Sequence, residues 1–157
     1  MADRSVEHAS FAIEHSFQAP PARVFSAWSD PEAKNRWFVQ GVGWDLSTYD
    51  HDFRVGGREQ GRFGRSGEPT YRNDTTYLDI VPDRRIVFAY TMAREDTLIS
   101  ASLATVEFHP AGAGTRLVFT EQAAFLDGGD KPQYRQQGWG SLMDALQTEL
   151  ARNPANA

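Results

Sequence analysis

Gly138-Trp139-Gly140-Ser141-Leu142-Met143-Asp144-Ala145-Leu146-Gln147-Thr148-Glu149-Leu150 is the stretch on which the architecture turns. Trp139, Leu142, Met143, Leu146 and Leu150 fall at i, i+3, i+4, i+7 and i+11, a single apolar stripe at helical period. Asp144, Gln147, Glu149 and Arg152 occupy the other faces, and Pro132 and Pro154 bracket the segment. A long helix with one apolar stripe has to lay that stripe on something.

Working outward, the rest of the chain supplies strands. Phe11, Ile13, His15 and Phe17 alternate with Ala12, Glu14 and Ser16, which predicts a half-buried strand. Pro20-Pro21 ends it, and Pro21 suits the first turn of a helix because its missing N–H is harmless there. Val24, Phe25, Ala27 and Trp28 predict a short amphipathic helix, and Asp30-Pro31 predicts the capped start of a second one ending near Trp37-Phe38. Strand patterns then follow near 44–49, 57–63, 71–81, 86–91, 100–109 and 115–122. Gly56-Gly57, Val81-Pro82-Asp83 and Pro110-Ala111-Gly112-Ala113-Gly114 punctuate them, and tight returns favour antiparallel neighbours. The expected product is one α+β domain over residues 8–152, with flexible termini at 1–7 and 153–157.

Composition narrows the function classes. The net charge is −5, and no basic stripe is present to follow a phosphate backbone or an anionic lipid surface, so neither nucleic acid nor membrane is an expected partner. There is no cysteine, which removes disulfides, thiolate nucleophiles and Cys-ligated zinc. No apolar run approaches spanning length, and the polar Met1–Ser10 segment does not read as a signal peptide. These features describe a cytoplasmic protein. Exposed edge strands leave a homodimer open.

Motifs with strong chemical meaning are absent. The sequence has no phosphate-cradling glycine loop, no His-Glu-x-x-His and no Gly-x-Ser-x-Gly. No two of His8, His15, His51 and His109 stand at ligand spacing on a helix. Asp50-His51-Asp52 looks like a general-base or hard-metal cluster, but strand alternation turns His51 away from both aspartates, and a solvated loop before Arg54 is the simpler account. No metal and no cofactor are expected.

Strand parity is more informative. The large apolar residues place Ile86, Phe88 and Tyr90, then Ala104, Val106 and Phe108, then Leu117 and Phe119 on the concave face of a sheet. Two further places along the last strand comes Glu121. From Phe63 the same parity runs back to Gly61 and Glu59. An inward carboxylate in an apolar cavity favours its protonated form and serves as an acid, a base or a polar anchor. The competing account pairs each with a nearby cation, such as Arg58 or Arg116. The polar segment 71–77 reads as a surface strand or a polar cavity wall. Trp28, Trp37 and Phe38 read as core. The expected cavity is lined by Phe88, Tyr90, Phe108, Phe119, Trp139 and Met143, with Glu59 and Glu121 as polar groups and Glu121 the best catalytic candidate.

A series of short signatures in fixed order adds to this reading. Ala19-Pro20, Val24-Phe25, Ala27-Trp28, Asp30-Pro31-Glu32 and Trp37-Phe38 come first. Asp52-Phe53-Arg54-Val55-Gly56-Gly57, Val81-Pro82, Arg85-Ile86-Val87-Phe88, Gly114-Thr115-Arg116-Leu117 and Gly138-Trp139 follow. From about Phe11 to Leu150 the chain resembles the START-like (SRPBCC) superfamily, and within it the branch similar to the activator of the ninety-kilodalton heat-shock protein ATPase. The resemblance implies a helix-grip fold, with a curved antiparallel sheet wrapped around the long terminal helix and two short helices after the first strand. It implies a small apolar or amphipathic organic ligand held between sheet and helix. An enzyme of the same fold, hydrolase, dehydratase or cyclase-like, is the first alternative, and the missing catalytic motifs weigh against it. A co-chaperone-like interaction domain is the second, weakened because the chain has no room for the additional domain of the eukaryotic activator.

Overall fold

The computed structural model describes residues 4–44 and 46–152. Strand β1 (Val6–Phe17) leads into helix α1 (Pro21–Ser29) and the short helix α2 (Pro31–Lys34). A π-turn over Asn35–Val39 and a 3-10 turn over Gln40–Val42 follow. Then come β2 (Leu46–His51), β3 (Arg58–Gly64), β4 (Tyr71–Val81), β5 (Arg85–Arg94), β6 (Thr97–Ala111), β7 (Gly114–Leu126) and helix α3 (Pro132–Arg152). The strands form one antiparallel seven-stranded sheet in the order β1-β7-β6-β5-β4-β3-β2. Because β1 closes on β7, β1 and β2 lie at opposite edges, and α1 and α2 carry the chain across the sheet between them. This is the helix-grip form of an α+β fold.

The apolar stripe docks α3. Trp139, Met143, Leu146 and Leu150 are buried in the core with Phe17, Val24, Phe108, Leu117 and Phe119, and Leu142 is half-buried. Arg36 in the π-turn donates to both carboxylate oxygens of Glu149, at 2.9 and 2.8 Å, a bidentate clamp on the last turns of α3. Asp30 accepts from the Glu32 N–H at the start of α2, as its capping position predicts.

Two irregularities shape the sheet. Leu78 in β4 and Ile99 in β6 have no opposite number in the ladder. Each extra residue resets the alternation: Asn73, Thr75 and Tyr77 are buried before the first bulge, and Ile99 and Ser100 are both buried at the second. The first strand reaches back ahead of residue 8. The strand starts at Val6, the Asp127 N–H donates to the Ser5 carbonyl, and Arg4 pairs with the Asp127 carboxylate. The expected tail, 153–157, lies outside the described residues. No described helix is long and apolar enough to cross a membrane.

Candidate functional site

A cavity of about 590 Å³ opens between α3 and the β3–β5 half of the sheet. Phe63, Asn73, Tyr90 and Met92 form its sheet wall. Tyr134, Gly138, Ser141 and Leu142 form its helix wall, with Trp139 between the two. Phe38, Gly41 and Trp44 come from the connection ahead of β2. Local packing makes this wall: an added Cβ at Gly61 would stand 2.3 Å from the Phe63 ring, so only glycine lets that ring fold back over β3.

The cavity lies further toward the α3 N-terminus than strand parity predicts. Tyr90 and Trp139 line it. Phe88, Phe108, Phe119 and Met143 point inward as expected, yet they pack into the core instead. The reason is the tryptophan fill. Trp139 stacks on Phe119 at 4.1 Å and on Trp28 at 6.3 Å, and Trp28 meets Trp37 edge-on at 4.8 Å. These rings occupy the inner part of the grip, and Phe38, read from sequence as core, is left facing the open part.

Glu121 is inward and fully buried, but its surroundings are polar. Its carboxylate accepts from Tyr90 Oη at 2.6 Å, Ser102 Oγ at 2.8 Å and Arg135 Nη1 at 3.1 Å. Arg135 also donates to Ser100 Oγ and Asp130, and Trp139 Nε1 donates to Tyr90 Oη. One guanidinium thus bridges two carboxylates. Burial alone would lower the Arg135 pKa, but Tyr90, Glu121 and Asp130 reverse this and hold it above its ordinary value. Burial, reinforced by Glu121, raises the Tyr90 phenol. Glu121 sits behind Tyr90 and Arg135, not on the cavity wall, and Arg135 is its partner instead of Arg116, which pairs with Glu14.

Glu59 is likewise inward and buried, in a second cluster away from the cavity. One oxygen, Oε1, accepts from Lys34 Nζ at 2.8 Å, Tyr49 Oη at 2.6 Å and Tyr77 Oη at 2.7 Å. Burial pushes the carboxyl up, but Lys34 and the Tyr49 phenol outweigh it and hold Glu59 below its ordinary range. The same burial and charge push both phenols up. Lys34 comes from α2, where Arg58 was the expected partner.

His51 corrects the sequence reading. It is the last residue of β2, with its side chain 1% exposed. Parity does separate it from Asp50, but the face it takes is the buried one, opposite Glu59 in the ladder. Its Nε2 lies 2.9 Å from Tyr77 Oη. Tyr77 gives its own proton to Glu59, so the network assigns the N–H to Nε2 and leaves Nδ1 bare and buried without a partner among the described residues. Burial, then Lys34, lowers the His51 pKa to about 4, so the ring is neutral at physiological pH.

On the cavity wall one polar group is poorly matched. Asn73 is buried, its Oδ1 accepts from Thr75 Oγ1 at 3.1 Å, and among the described residues its Nδ2 meets only the Met92 thioether, at 3.7 Å. The 71–77 strand is therefore both things the sequence allowed: Asn73, Thr75 and Tyr77 face in, and Arg72 and Asp74 pair with each other on the other face. Sequence reasoning missed Arg135, although a signal for it existed. Extending the α3 stripe back four residues from Trp139 lands on Arg135.

Comparison with known proteins agrees with this architecture. Residues 18–151 match the family model described as Activator of Hsp90 ATPase homolog 1-like protein. The crystal structure of the Mll3558 protein from Rhizobium loti is 48% identical, covering 93% of this chain and 99% of that one with a TM-score of 0.87. A putative uncharacterized protein from Rhizobium leguminosarum is 45% identical, covering 96% and 99% with a TM-score of 0.91. CalU16 from Micromonospora echinospora, 20% identical with a TM-score of 0.59, shares the fold alone. No curated protein matches the chain. With the family model spanning most of its length, this chain belongs to the Activator of Hsp90 ATPase homolog 1-like family.

Proposed function

We propose that this protein binds a small organic molecule, apolar over most of its surface and carrying an acceptor oxygen, in the cavity between α3 and the sheet. The observation that carries this reading is the Asn73 amide, a donor on an aromatic cavity wall with, among the described residues, only a thioether as its acceptor. An N–H on a cavity wall without a good protein acceptor is free to bond a ligand carbonyl or ether oxygen, and would be left unsatisfied under an apolar ligand that offers none. The volume, about 590 Å³, falls in the usual range for small-molecule sites. Phe38, Trp44, Phe63 and Trp139 offer flat apolar contact. An enzymatic role for Glu121 has less support, because its two oxygens are already committed to Arg135, Tyr90 and Ser102. We read the protein as cytoplasmic, from its cysteine-free composition.

A matched pair of probes tests the reading: 2-acetylnaphthalene against 2-ethylnaphthalene, by calorimetric titration. The ketone is expected to bind roughly tenfold more tightly, the worth of one hydrogen bond. Asn73→Leu should erase that preference while keeping hydrocarbon binding. Gly138→Trp, whose side chain would enter the cavity from α3, should abolish both. Binding of neither probe, or binding unaffected by Gly138→Trp, overturns the proposal.

A further inference from the structure

Strand β1 is an edge strand of twelve residues. Its ladder with β7 runs through twelve consecutive positions with no bulge, whereas β4 and β6 each carry one. It contains no Pro and no Lys, two residues that ordinarily blunt an open edge, and its carboxylates, Glu7 and Glu14, both face a histidine in the antiparallel pairing of two copies. The Ser5 carbonyl accepts from Asp127 on the β7 side, which sets the phase of the backbone. Odd-numbered residues of β1 turn their N–H and C=O toward β7, and Val6, His8, Ser10, Ala12, Glu14 and Ser16 turn theirs to the free edge.

The sequence of this edge is complementary to itself. Around Phe11 it reads Glu7-His8-Ala9-Ser10-Phe11-Ala12-Ile13-Glu14-His15. An antiparallel second copy with Phe11 opposite Phe11 brings His8 opposite Glu14, whose Oε1 already accepts from Arg116 of its own copy, and Glu7 opposite His15, each pair twice by symmetry. Ser10 faces Ala12, and Ala9 faces Ile13. Even residues meet even residues, as the outward N–H and C=O groups require. The neighbouring allowed registers lose this match. With Ala12 on the axis His8 faces Ser16 and Glu14 faces Ser10, and with Ser10 on the axis Glu7 faces Ile13. An imidazole N–H facing a carboxylate across paired strands supplies a side-chain hydrogen bond that helps fix register. Phe11 and Ile13 are only half-buried against the core, and a second copy covers their open side.

We propose that this protein forms a two-fold symmetric homodimer by pairing β1 with β1 of a second copy, in the register centred on Phe11. The interface is isologous and self-limiting, because it uses up the β1 edge of both copies. It stands independently of the ligand reading.

Cysteine cross-linking and sedimentation on the full chain test it. The chain has no cysteine of its own, so a single introduced thiol reports the register. Phe11 occupies a non-hydrogen-bonded pair in this register, where Cα atoms approach to about 4.5 Å, within disulfide reach. Mild oxidation should convert most Phe11→Cys to covalent dimer, and Ser10→Cys and Ala12→Cys much less. Ser10→Pro removes an outward N–H that β7 does not use, and should yield monomer with a melting temperature close to the parent's. His8→Glu should weaken dimerisation at least tenfold by setting a second carboxylate against Glu14, and adding Glu14→His should recover part of it, since Glu14 also holds Arg116 of its own copy. A parent that sediments as monomer at every concentration overturns the proposal. So does a Ser10→Pro variant that stays dimeric, or preferential cross-linking at residue 10 or 12. Should Phe11→Cys fold poorly, the side-chain exchange between positions 8 and 14 decides the register by itself.

Discussion

The Glu121 carboxylate on β7 and the Arg135 guanidinium on α3 stand 3.1 Å apart, with side-chain exposures of 0% and 8%. This pair is the polar latch between the sheet and the N-terminal half of the helix. The C-terminal half is held by apolar packing and by the Arg36–Glu149 clamp.

Glu121→Gln should therefore destabilise the fold by about 3 kcal/mol, because removing one member of a buried pair strands the other. Asp130 remains on Arg135 and keeps the loss from being larger. Chemical denaturation measures it. Replacing both members, Glu121→Gln with Arg135→Met, should cost less than the sum of the single changes, and strict additivity would show that the two do not act as a latch.

Leu146 is fully buried at the centre of the α3 stripe. Leu146→Ala should cost about 2–5 kcal/mol, the transfer and cavity terms together. A loss below about half a kcal/mol would mean the helix does not dock through this stripe.

Stability should fall as the medium is acidified, and His51 sets the upper window. Its folded pKa is lowered to about 4, against about 6.5 in the unfolded chain. The unfolded state therefore takes up the proton first, and the contribution of the neutral ring is fully present above about pH 6.5 and lost as pH drops toward 4. Between those limits the slope should approach about 1.4 kcal/mol per pH unit. His51→Gln should flatten it in urea titrations at successive pH values. The lowered Glu59 pKa acts in a separate window, contributing stability above the ordinary carboxylate range and losing it as pH falls further. An unchanged slope in His51→Gln would contradict the buried neutral imidazole.

Gly140 lies in the interior of α3, and a Cβ added there meets nothing within 4 Å. Gly140→Ala should raise stability by about 0.5–1 kcal/mol, through the smaller entropy of the unfolded chain and better helix propensity. Thermal melts of the two proteins decide it, and a drop would reveal a close approach at that face.

Periodicity alone determined that a helix would cover a sheet through Trp139, Met143, Leu146 and Leu150, since each element shows its buried face in its own sequence. Strand parity placed Glu59 and Glu121 inside for the same local reason, because alternation carries from Phe63 and Phe119 to the carboxylates without any knowledge of the partner strand. What those carboxylates meet was decided only by tertiary structure. Lys34 reaches Glu59 from a helix 25 residues away and Arg135 reaches Glu121 across 14, and such pairings depend on which elements the packing brings together. His51 shows the limit most plainly: alternation separates it from Asp50, but the face that becomes interior depends on the β2–β3 register and on Tyr77. The position of the cavity also escaped the sequence, because Trp28, Trp37 and Trp139 pack together only once α1, the π-turn and α3 converge. Volume that parity assigns to a concave face is filled or left open by side chains arriving from elsewhere in the chain.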